Sequence, residues 1–339
     1  MQTQHRAPVL RFSDHPAIAS LKREDARVTV IVVTHERPRE LDCVLSQLRQ
    51  LPEQPRVLVL DNASRQAGAV ARIARLHGAE LVRCEQHLGA AACNPVVAQV
   101  TTPHVAFCDD GTWWTQGALK RACDLMDEYP HIGVINCRVL TANGEAEHPI
   151  CERMQHSTLD DTGLPGPALI SFMANAVVMR TRAFRHAEGY EPEAFRGAEE
   201  VLIGLSLAAL GWRIVYARDV TMHQLPTIHS HAHQDPVMEA RNRLWVAWLR
   251  LPWPYAWQET QAALATAWRE GNLWSVLWHS AKPLSRLVLR RRAVPDLVAR
   301  MHRATCSSAG PPARAQTQAK ALQRPEQHAA GRPTNMPPC

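Results

Sequence analysis

Two pairs of acidic and amide side chains directly follow apolar segments of this chain. Asp109 and Asp110 come after HVAFC, and Asp61 and Asn62 come after RVLVL. Paired carboxylates at the end of a strand can hold a divalent cation whose open positions are taken by phosphate oxygens. Adjacent carboxylates also occur as solvated loop residues, and an Asp-Asn pair also forms an Asx turn. The pairs alone therefore leave a metal–phosphate site and ordinary loop chemistry both open.

The segments that carry these residues alternate with stretches of helical periodicity. Buried strands are predicted at 28–33, 56–60, 80–84 and 104–108. Such alternation indicates βαβ units and a parallel sheet, in which ligands bind beyond the carboxyl ends of the strands. Because Thr34, Glu36 and Arg37 follow the first strand, we expect three polar clusters to converge on one crevice.

A further acidic pair begins a predicted helix in the second half of the chain. Glu199 and Glu200 open an apolar stretch that ends at Leu210 and Gly211. The helix dipole favours the ionised form of a carboxyl at this end. Acidic residues at a helix start are also common without any catalytic role. Strands are predicted at 171–180, 212–217 and 219–223, with a loop or lid over 141–167 and a helix from about 235 to 250.

Five sequence blocks, in this order, resemble family 2 glycosyltransferases of the GT-A fold. The blocks are VTVIVVTHERP, VLVLDNAS, HLGAAACN, FCDDGTWW with GAL two residues later, and GYEPEAFRGAEEVLIGLSLAALGWRIVY. The similarity covers residues 28 to about 255. It implies an α/β fold with a Rossmann-like, mostly parallel sheet flanked by helices, here followed by a C-terminal helical extension.

The resemblance also implies roles for residues at matching positions. Asp109 and Asp110 would bind Mn²⁺ or Mg²⁺ and, through it, the sugar diphosphate, with His223 as a further metal or phosphate contact. Glu200 would be the general base, with Glu199 beside it. The nucleotide base and ribose would be held by Thr34, Glu36, Arg37, Asp61, Asn62 and, as a lesser candidate, Asn94. Arg241 is either a diphosphate contact or a surface arginine.

This chemistry needs both kinds of group. Displacement of a nucleoside diphosphate from a sugar leaves concentrated negative charge, which a divalent cation neutralises. A carboxylate opposite the leaving group takes the proton of the acceptor hydroxyl. A single displacement inverts the anomeric configuration. The implied partners are a nucleoside-diphosphate sugar and a glycan or lipid-linked acceptor of the kind used in polysaccharide biosynthesis, and the implied enzyme is of hexosyl- or deoxyhexosyltransferase type.

Several positions depart from the family pattern. Gly111 stands where the family usually has a third acidic residue, which is commonly the metal ligand itself. Cys93 and Pro95 replace basic and small residues, and Glu200 stands where aspartate is common. Metal binding would then shift to Asp110 and His223, or the chain is a degenerate relative that binds nucleotide or glycan without catalysis.

Composition excludes other classes. No apolar run reaches the roughly 18–20 residues of a membrane span, and the start of the chain lacks the apolar core of a signal peptide. Nine cysteines without CxxC spacing indicate reduced cytosolic thiols. The net charge is +6, of which residues 282–339 carry +9 and residues 1–281 carry −3, so the body of the chain has no basic surplus for nucleic acid. A nucleotidyltransferase would need a glycine-rich phosphate loop, and a dinucleotide dehydrogenase would need GxGxxG; neither pattern is present.

The C-terminal part differs in composition from the rest. Trp257, Trp268, Trp274 and Trp278 precede seven Lys and Arg residues within 282–303. This pattern fits helices resting on anionic lipid at the inner face of the membrane, and it fits a packed helical hairpin with a solvated basic face equally well. His229, His231 and His233 indicate an exposed loop more than a metal site. The predicted organisation is 1–26 irregular, 27–255 glycosyltransferase domain (nucleotide half 27–140, acceptor and base half 141–255), 256–303 helical extension and 304–339 disordered tail.

Overall fold

A computed structural model describes residues 10–12, 26–141, 144, 146–192, 197–225, 236–281 and 290–308. Over these ranges, ten strands form one sheet, and helices cover it. None of the helices in these ranges combines the length and the apolar character that crossing a membrane requires.

The first half of the sheet is a parallel block. It consists of β1 (Leu10–Phe12), β2 (Val28–Thr34), β3 (Arg56–Asp61), β4 (Glu80–Cys84) and β5 (His104–Asp109). The strands lie in the order β1, β4, β3, β2, β5, and all neighbours are parallel except β1 with β4. Continuous β-branched and aliphatic sequence makes β2 a central strand, because a strand covered by helices on both faces has no polar side.

Helices join these strands. They are α1 (Pro38–Arg49), α2 (Ala67–Leu76) and α3 (Cys93–Val97), the last preceded by a 3₁₀ turn (Gly89–Ala92). Pro38 occupies the first turn of α1, where its missing N–H costs nothing. The helical spacing of Leu41, Val44, Leu45 and Leu48 puts all four in the main core. Residues 89–97 thus form a 3₁₀ turn that runs into the short helix α3, with Pro95 in the first turn of α3, where its missing N–H is tolerated.

The second half of the sheet is mixed. It consists of β6 (Thr112–Trp114), β7 (Ile132–Thr141), β8 (Ala168–Leu169), β9 (Val177–Arg180) and β10 (Arg213–Gln224), with α4 (Ala118–Glu128), α5 (Pro149–Gln155), α6 (Thr181–His186) and α7 (Glu199–Ala209). The order continues from β5 through β9, β7 and β10 to β6. Strand β9 is antiparallel to both neighbours, whereas β7 and β10 are parallel.

Two predicted strands are one in the structure. Residues 212–217 and 219–223 form the single strand β10, with a register shift against β7 between Ala217 and Thr221. The polar residues Arg218 and Asp219 lie at this shift, where the strand is irregular. Their polarity is the reason that two strands were predicted. The predicted strand 171–180 is shorter, because only Val177–Arg180 pairs with its neighbours. The N-terminal segment contributes β1 where no strand was predicted.

The C-terminal helices are α8 (Pro236–Arg250), α9 (Trp253–Arg269), α10 (Leu273–Ala281) and α11 (Asp296–Ser308). Helices α9 and α10 both pack on α8, around Leu244, Ala263, Ala267 and Val276. Helix α11 contacts α7 and continues past the predicted boundary at 303. The predicted histidine loop (229–233) and most of the predicted tail (309–339) lie outside the described residues.

Gly204 sets how closely α7 approaches the sheet. A Cβ at this position would lie 2.3 Å from the carbonyl oxygen of Ile170. Gly204→Ala should therefore lower the free energy of unfolding by about 1–3 kcal/mol, as overpacking of a tight contact does, measured by chemical denaturation. Gly68→Ala in α2 is the matched control, because a Cβ at Gly68 would have nothing within 4 Å. Equal stabilities of the two variants would contradict this close approach.

Candidate active site

The register of β2 brings the predicted clusters together. Thr34 lies opposite Asp61 on β3, and Val33 lies opposite Asp109 on β5. With neighbouring strands about 4.8 Å apart, Asp61 and Asp109 are separated by about 10 Å along one edge of the sheet. The strand-end residues therefore lie along one edge of the sheet. Because the consecutive residues Val33 and Thr34 face opposite sides of β2, their partners Asp109 and Asp61 do so as well. That all three clusters meet in one crevice stays a prediction.

Protein donors surround the carboxylate of Asp109. Its Oδ1 accepts hydrogen bonds from the Gly111 amide and the Thr112 hydroxyl, each at 2.9 Å. Its Oδ2 accepts one from the Asn175 side-chain amide, also at 2.9 Å. Both oxygens therefore accept hydrogen bonds from the protein, which fix the carboxylate at the carboxyl end of β5.

Asp110 is buried and is held by the end of β2. Its Oδ2 accepts hydrogen bonds from the Thr34 hydroxyl at 2.8 Å and from the His35 amide at 3.3 Å. Its Oδ1 lies 3.1 Å from Nη1 of Arg37. Burial, reinforced by the nearby charge of Asp109, raises the pKa of Asp110 to about 6, against the opposing effects of Thr34 and Arg37.

Hydrogen bonds and an ion pair hold the DNAS turn after β3. Asp61 is fully buried, where its carboxylate accepts from the Ser64 amide at 2.9 Å and pairs with the guanidinium of Arg83. The Asn62 side chain donates to the Gly89 carbonyl at 3.0 Å and accepts from the Leu88 amide at 2.9 Å. These bonds fasten the β3 turn to the chain before α3, so both residues shape the wall of the predicted nucleotide pocket.

Glu36 adopts a left-handed backbone conformation, with φ of 61°. Its amide donates to the Ser64 hydroxyl at 3.0 Å. Its carboxylate accepts from the Arg65 amide at 2.9 Å, and this bond lowers the pKa of Glu36. A non-glycine residue in this conformation is costly and is typical of functional turns.

The acidic pair begins α7 as predicted. Glu199 is buried, and its carboxylate accepts a hydrogen bond from the Gly197 amide. Glu200 is partly buried, and burial together with the charge of Glu199 raises its pKa to about 7. Burial raises the pKa of the Tyr190 phenol, and the nearby charges of Glu200 and Glu199 add to the rise. Glu200 therefore has the pKa of a proton acceptor that works near neutral pH.

Tyr190 connects this helix start to the aspartate motif. Its ring packs edge-on against Phe107 of β5, with centroids 6.5 Å apart. Residues two apart on a strand face the same side of a sheet. Phe107 and Asp109 therefore lie on one face. Tyr190 lines a pocket together with Leu202 and Ile203 of α7, so this helix is on the same side of the sheet.

Two predicted nucleotide contacts are used within the protein. The Asn94 amide makes two 2.8 Å hydrogen bonds with the backbone of Tyr190, one as donor and one as acceptor. Gly189 has φ of +70°, and a Cβ there would lie 2.3 Å from the Asn94 oxygen. Arg241 is buried, stacks on Trp245 at 4.3 Å and donates to Asn242. Asn94 thus holds the turn that carries Tyr190, and Arg241 is packed in α8.

The residues present do not fit a divalent cation. His223 stacks on Trp113 with ring centroids 5.6 Å apart, and its Nδ1 lies 3.2 Å from the carbonyl oxygen of Thr141. No three His, Cys, Asp or Glu side chains are grouped as metal ligands in the part of the chain that the structure describes. A metal site needs several oxygen or nitrogen ligands free to face the ion. The predicted set of Asp109, Asp110 and His223 is therefore not assembled here.

The fold and this crevice define a GT-A glycosyltransferase architecture, and solved structures share it. The mannosyltransferase PcManGT from Pyrobaculum calidifontis, in complex with GDP-Man and Mn²⁺, is 18% identical, with a TM-score of 0.51 over 88% of this chain and 92% of that chain. TarS 1-349 from S. aureus, in complex with UDP-GlcNAc, is 17% identical, with a TM-score of 0.53 over 83% of this chain and 87% of that chain. No curated protein matched the sequence.

Residues 29–185 match the model of the family described as glycosyl transferase family 2. This match covers strands β2 to β5 and most of the mixed half of the sheet. The resemblance drawn from the five sequence blocks is confirmed, and so is the predicted fold class.

Several residues of the crevice escaped the sequence analysis. Asn175 and Arg83 each hold one of the key aspartates, yet Asn175 was assigned to a strand and Arg83 to the middle of one. His87 lies against His35 at the crevice, with ring centroids 4.2 Å apart. Arg83 carried a usable signal, because a charged side chain in a predicted buried strand needs a buried partner. Asn175 carried none, since its partner is 66 residues away.

The raised pKa of Glu200 predicts a pH-dependent stability difference. Its ordinary value is 4.5, so between about pH 4.5 and 7 the folded state holds a proton that the unfolded state has lost. Ionised Glu200 therefore destabilises the parent above pH 7, whereas a glutamine cannot ionise. Relative to the parent, Glu200→Gln should gain on the order of 2–3 kcal/mol between pH 4 and pH 8. Urea unfolding at both pH values measures this, and a stability difference that is independent of pH would contradict it.

Proposed function

We propose that this chain is an inverting glycosyltransferase that moves a hexosyl or deoxyhexosyl group from a nucleoside-diphosphate sugar to a hydroxyl of a glycan or lipid-linked acceptor. The observation that carries the proposal is the placement of Glu200. It begins α7 on the side of the sheet that carries Asp109, with a pKa of about 7. The family match and the fold support glycosyl transfer as the class of reaction.

The reaction follows from these positions. The acceptor oxygen forms a bond to the anomeric carbon while the bond from that carbon to the diphosphate oxygen breaks, and the electron pair leaves with the nucleoside diphosphate. The acceptor proton goes to the Glu200 carboxylate. A base with a pKa near the working pH is both ionised often enough and basic enough to accept it.

The rigid strand-end turns would bind the donor. Thr34, Glu36 and Arg37 end β2, and Asp61 and Asn62 end β3, so the nucleoside would lie across these two turns with its diphosphate toward Asp109 and Asp110. Ligands of open α/β sheets bind at this edge because the loops there vary without disturbing the core. The nucleotide sugars bound by the two solved neighbours, GDP-Man and UDP-GlcNAc, represent the expected class of donor.

Charge removal at Glu200 tests the proposed base. Glu200→Gln should leave nucleoside-diphosphate binding within about twofold of the parent and lower sugar transfer by about 10²–10⁴-fold, the contribution of a positioned base. The parent rate should rise with pH through about 7. Glu199→Gln is the matched control and should lose less, because its carboxylate is used by the Gly197 amide.

Transfer by Glu200→Gln at the parent rate would refute the base assignment. If the parent binds nucleotides but transfers no sugar from any donor in a panel of nucleoside-diphosphate sugars, the alternative takes its place: a degenerate relative that binds nucleotide or glycan. The absent acidic residue at Gly111 is the feature that favours this alternative.

We also propose that an exposed tryptophan face contacts an anionic membrane. The face consists of Trp253, Trp257, Trp268, Trp274 and Trp278, which are 58–83% exposed. On α9 the three tryptophans recur at intervals of four and eleven residues, which places them on one stripe. The packing of α9 and α10 on α8 uses other positions, including Ala263, Ala267 and Val276.

Residue type and charge favour lipid as the partner of this face. Tryptophan prefers the boundary between headgroups and acyl chains, because its ring is apolar and its N–H is polar. Arg291 lies 4.0 Å over the Trp253 ring, and the basic segment 282–303 follows α10 directly. Such a combination binds anionic bilayers through apolar burial and charge together. A lipid-linked acceptor would then be presented at the same surface.

Vesicle sedimentation tests the membrane proposal. The parent should pellet with vesicles containing phosphatidylglycerol and less with phosphatidylcholine alone. A Trp274→Ser and Trp278→Ser double variant should bind at least about tenfold more weakly, because two interfacial anchors are lost. Leu76→Ser, which changes an exposed leucine (66%) on α2, should bind as the parent does. Equal pelleting of the double variant and the parent would refute the proposal, and so would self-association that the double variant abolishes.

A further inference from the structure

The aspartate motif of this chain lies beside a cation that the protein itself supplies. Arg37 caps the N-terminus of α1, directly before Pro38. Its Nη1 lies 3.1 Å from Oδ1 of Asp110, and its Nε lies 3.4 Å from Glu40. The side chain is 38% exposed, so the guanidinium also faces the open crevice.

Gly111 lies beside the contact between Arg37 and Asp110. A Cβ at Gly111 would lie 3.4 Å from Oδ1 of Asp109 and 3.8 Å from Nη1 of Arg37. The family pattern usually places an acidic side chain at this point, and that side chain would project toward the guanidinium. This chain has no carboxylate at position 111, so one fewer negative charge lies beside Arg37 than the family pattern would put there.

The carboxylates that would hold a metal are satisfied without one. The oxygens of Asp109 accept from Gly111, Thr112 and Asn175, and those of Asp110 face Thr34, His35 and Arg37. A carboxylate has about four lone-pair sites, and protein donors contact three of them on each aspartate. On Asp110 one of these donors is a cation, the Arg37 guanidinium, at the oxygen that would face a metal. The protein donors around Asp109 and around Asp110 therefore both disagree with the implied metal site.

We propose that the Arg37 guanidinium, in place of a divalent cation on the aspartate motif, neutralises the diphosphate of the donor. The inference rests on the proposed function and assigns the charge that stabilises its leaving group. The ion pairs of Arg37 within the described residues use Nη1 and Nε, which leaves Nη2 available to phosphate oxygens. Arginine suits this role, since its planar fork of donors binds phosphate oxygens in pairs and keeps its charge at any working pH.

The reaction itself is unchanged by this substitution of charge. The acceptor oxygen bonds to the anomeric carbon, the bond to the diphosphate oxygen breaks, and the electron pair stays on that oxygen beside Arg37. The acceptor proton goes to Glu200. Arg37 remains protonated throughout and supplies only hydrogen bonds and positive charge. Donor binding and transfer should then proceed in the presence of a chelator.

Calorimetric titration of the full chain with UDP and GDP, in excess EDTA and in excess Mn²⁺, tests the proposal. The parent should bind its preferred diphosphate equally well, within about twofold, in both buffers. Arg37→Ala should bind it about 10–100-fold more weakly, the effect of losing charge-assisted hydrogen bonds, and should lose less affinity for the nucleoside alone than for the diphosphate. Arg37→Lys should fall between the two. Arg39→Ala removes an exposed arginine two residues away and should bind as the parent does.

Gly111→Asp supplies the converse test. The new carboxylate would face Arg37 and the diphosphate, so binding in EDTA should weaken at least about tenfold, and Mn²⁺ should restore part of it. Circular dichroism of each variant verifies that it folds. Parent binding that requires Mn²⁺, or an Arg37→Ala variant that binds diphosphate like the parent, would overturn the inference and leave the proposed function standing. Absence of nucleoside-diphosphate binding in both buffers would overturn the proposed function and the inference with it.

Discussion

The hydrogen bonding of β2 to both of its neighbours is the constraint on which the rest of this structure depends. Its parallel register puts Thr34 beside Asp61 on one side and Val33 beside Asp109 on the other. A shift of one residue in either pairing would turn every side chain of that strand to the opposite face. Both faces of β2 are buried, so the close packing of its side chains against the helices holds this register. The position of the site is therefore set by core packing.

The local hydrogen bonds then determine what the site can do. Asp61 and Asp110 are both buried, and each is stabilised by hydroxyl or amide donors together with an arginine, Arg83 for the first and Arg37 for the second. Buried carboxylates need such partners, since desolvation otherwise favours their neutral form. For Glu200, burial and the charge of Glu199 outweigh the stabilising contacts, and its pKa is raised accordingly. Burial raises the pKa of Asp110 as well, but Thr34 and Arg37 oppose the rise and the value is about 6.

The sequence predicted the parallel half well and the mixed half less well, for a physical reason. Strands β2, β3 and β5 contain continuous apolar runs, and amphipathic helices follow β2 and β3, so their pattern is local. Strand β10 is held together across Arg218 and Asp219 by its pairing with β7, which no local pattern reveals. The acidic start of α7 was visible because helix starts have their own signature. The partners of the aspartates, Asn175 and Arg83, depend on contacts between distant segments and were therefore missed.

Strand β9 has a consequence for how the chain is made. It lies between β5 and β7, although it follows both in sequence, so a nascent chain that ends near residue 140 lacks the strand that pairs with both of these edges. The ribosome adds about 5–20 residues per second. Reaching Arg180 from Thr141 therefore takes roughly 2–8 s, during which two apolar strand edges are open to other chains. The nucleotide half therefore cannot complete its share of the sheet while it is being synthesised. The sheet is complete only after β9, its middle strand, has been made.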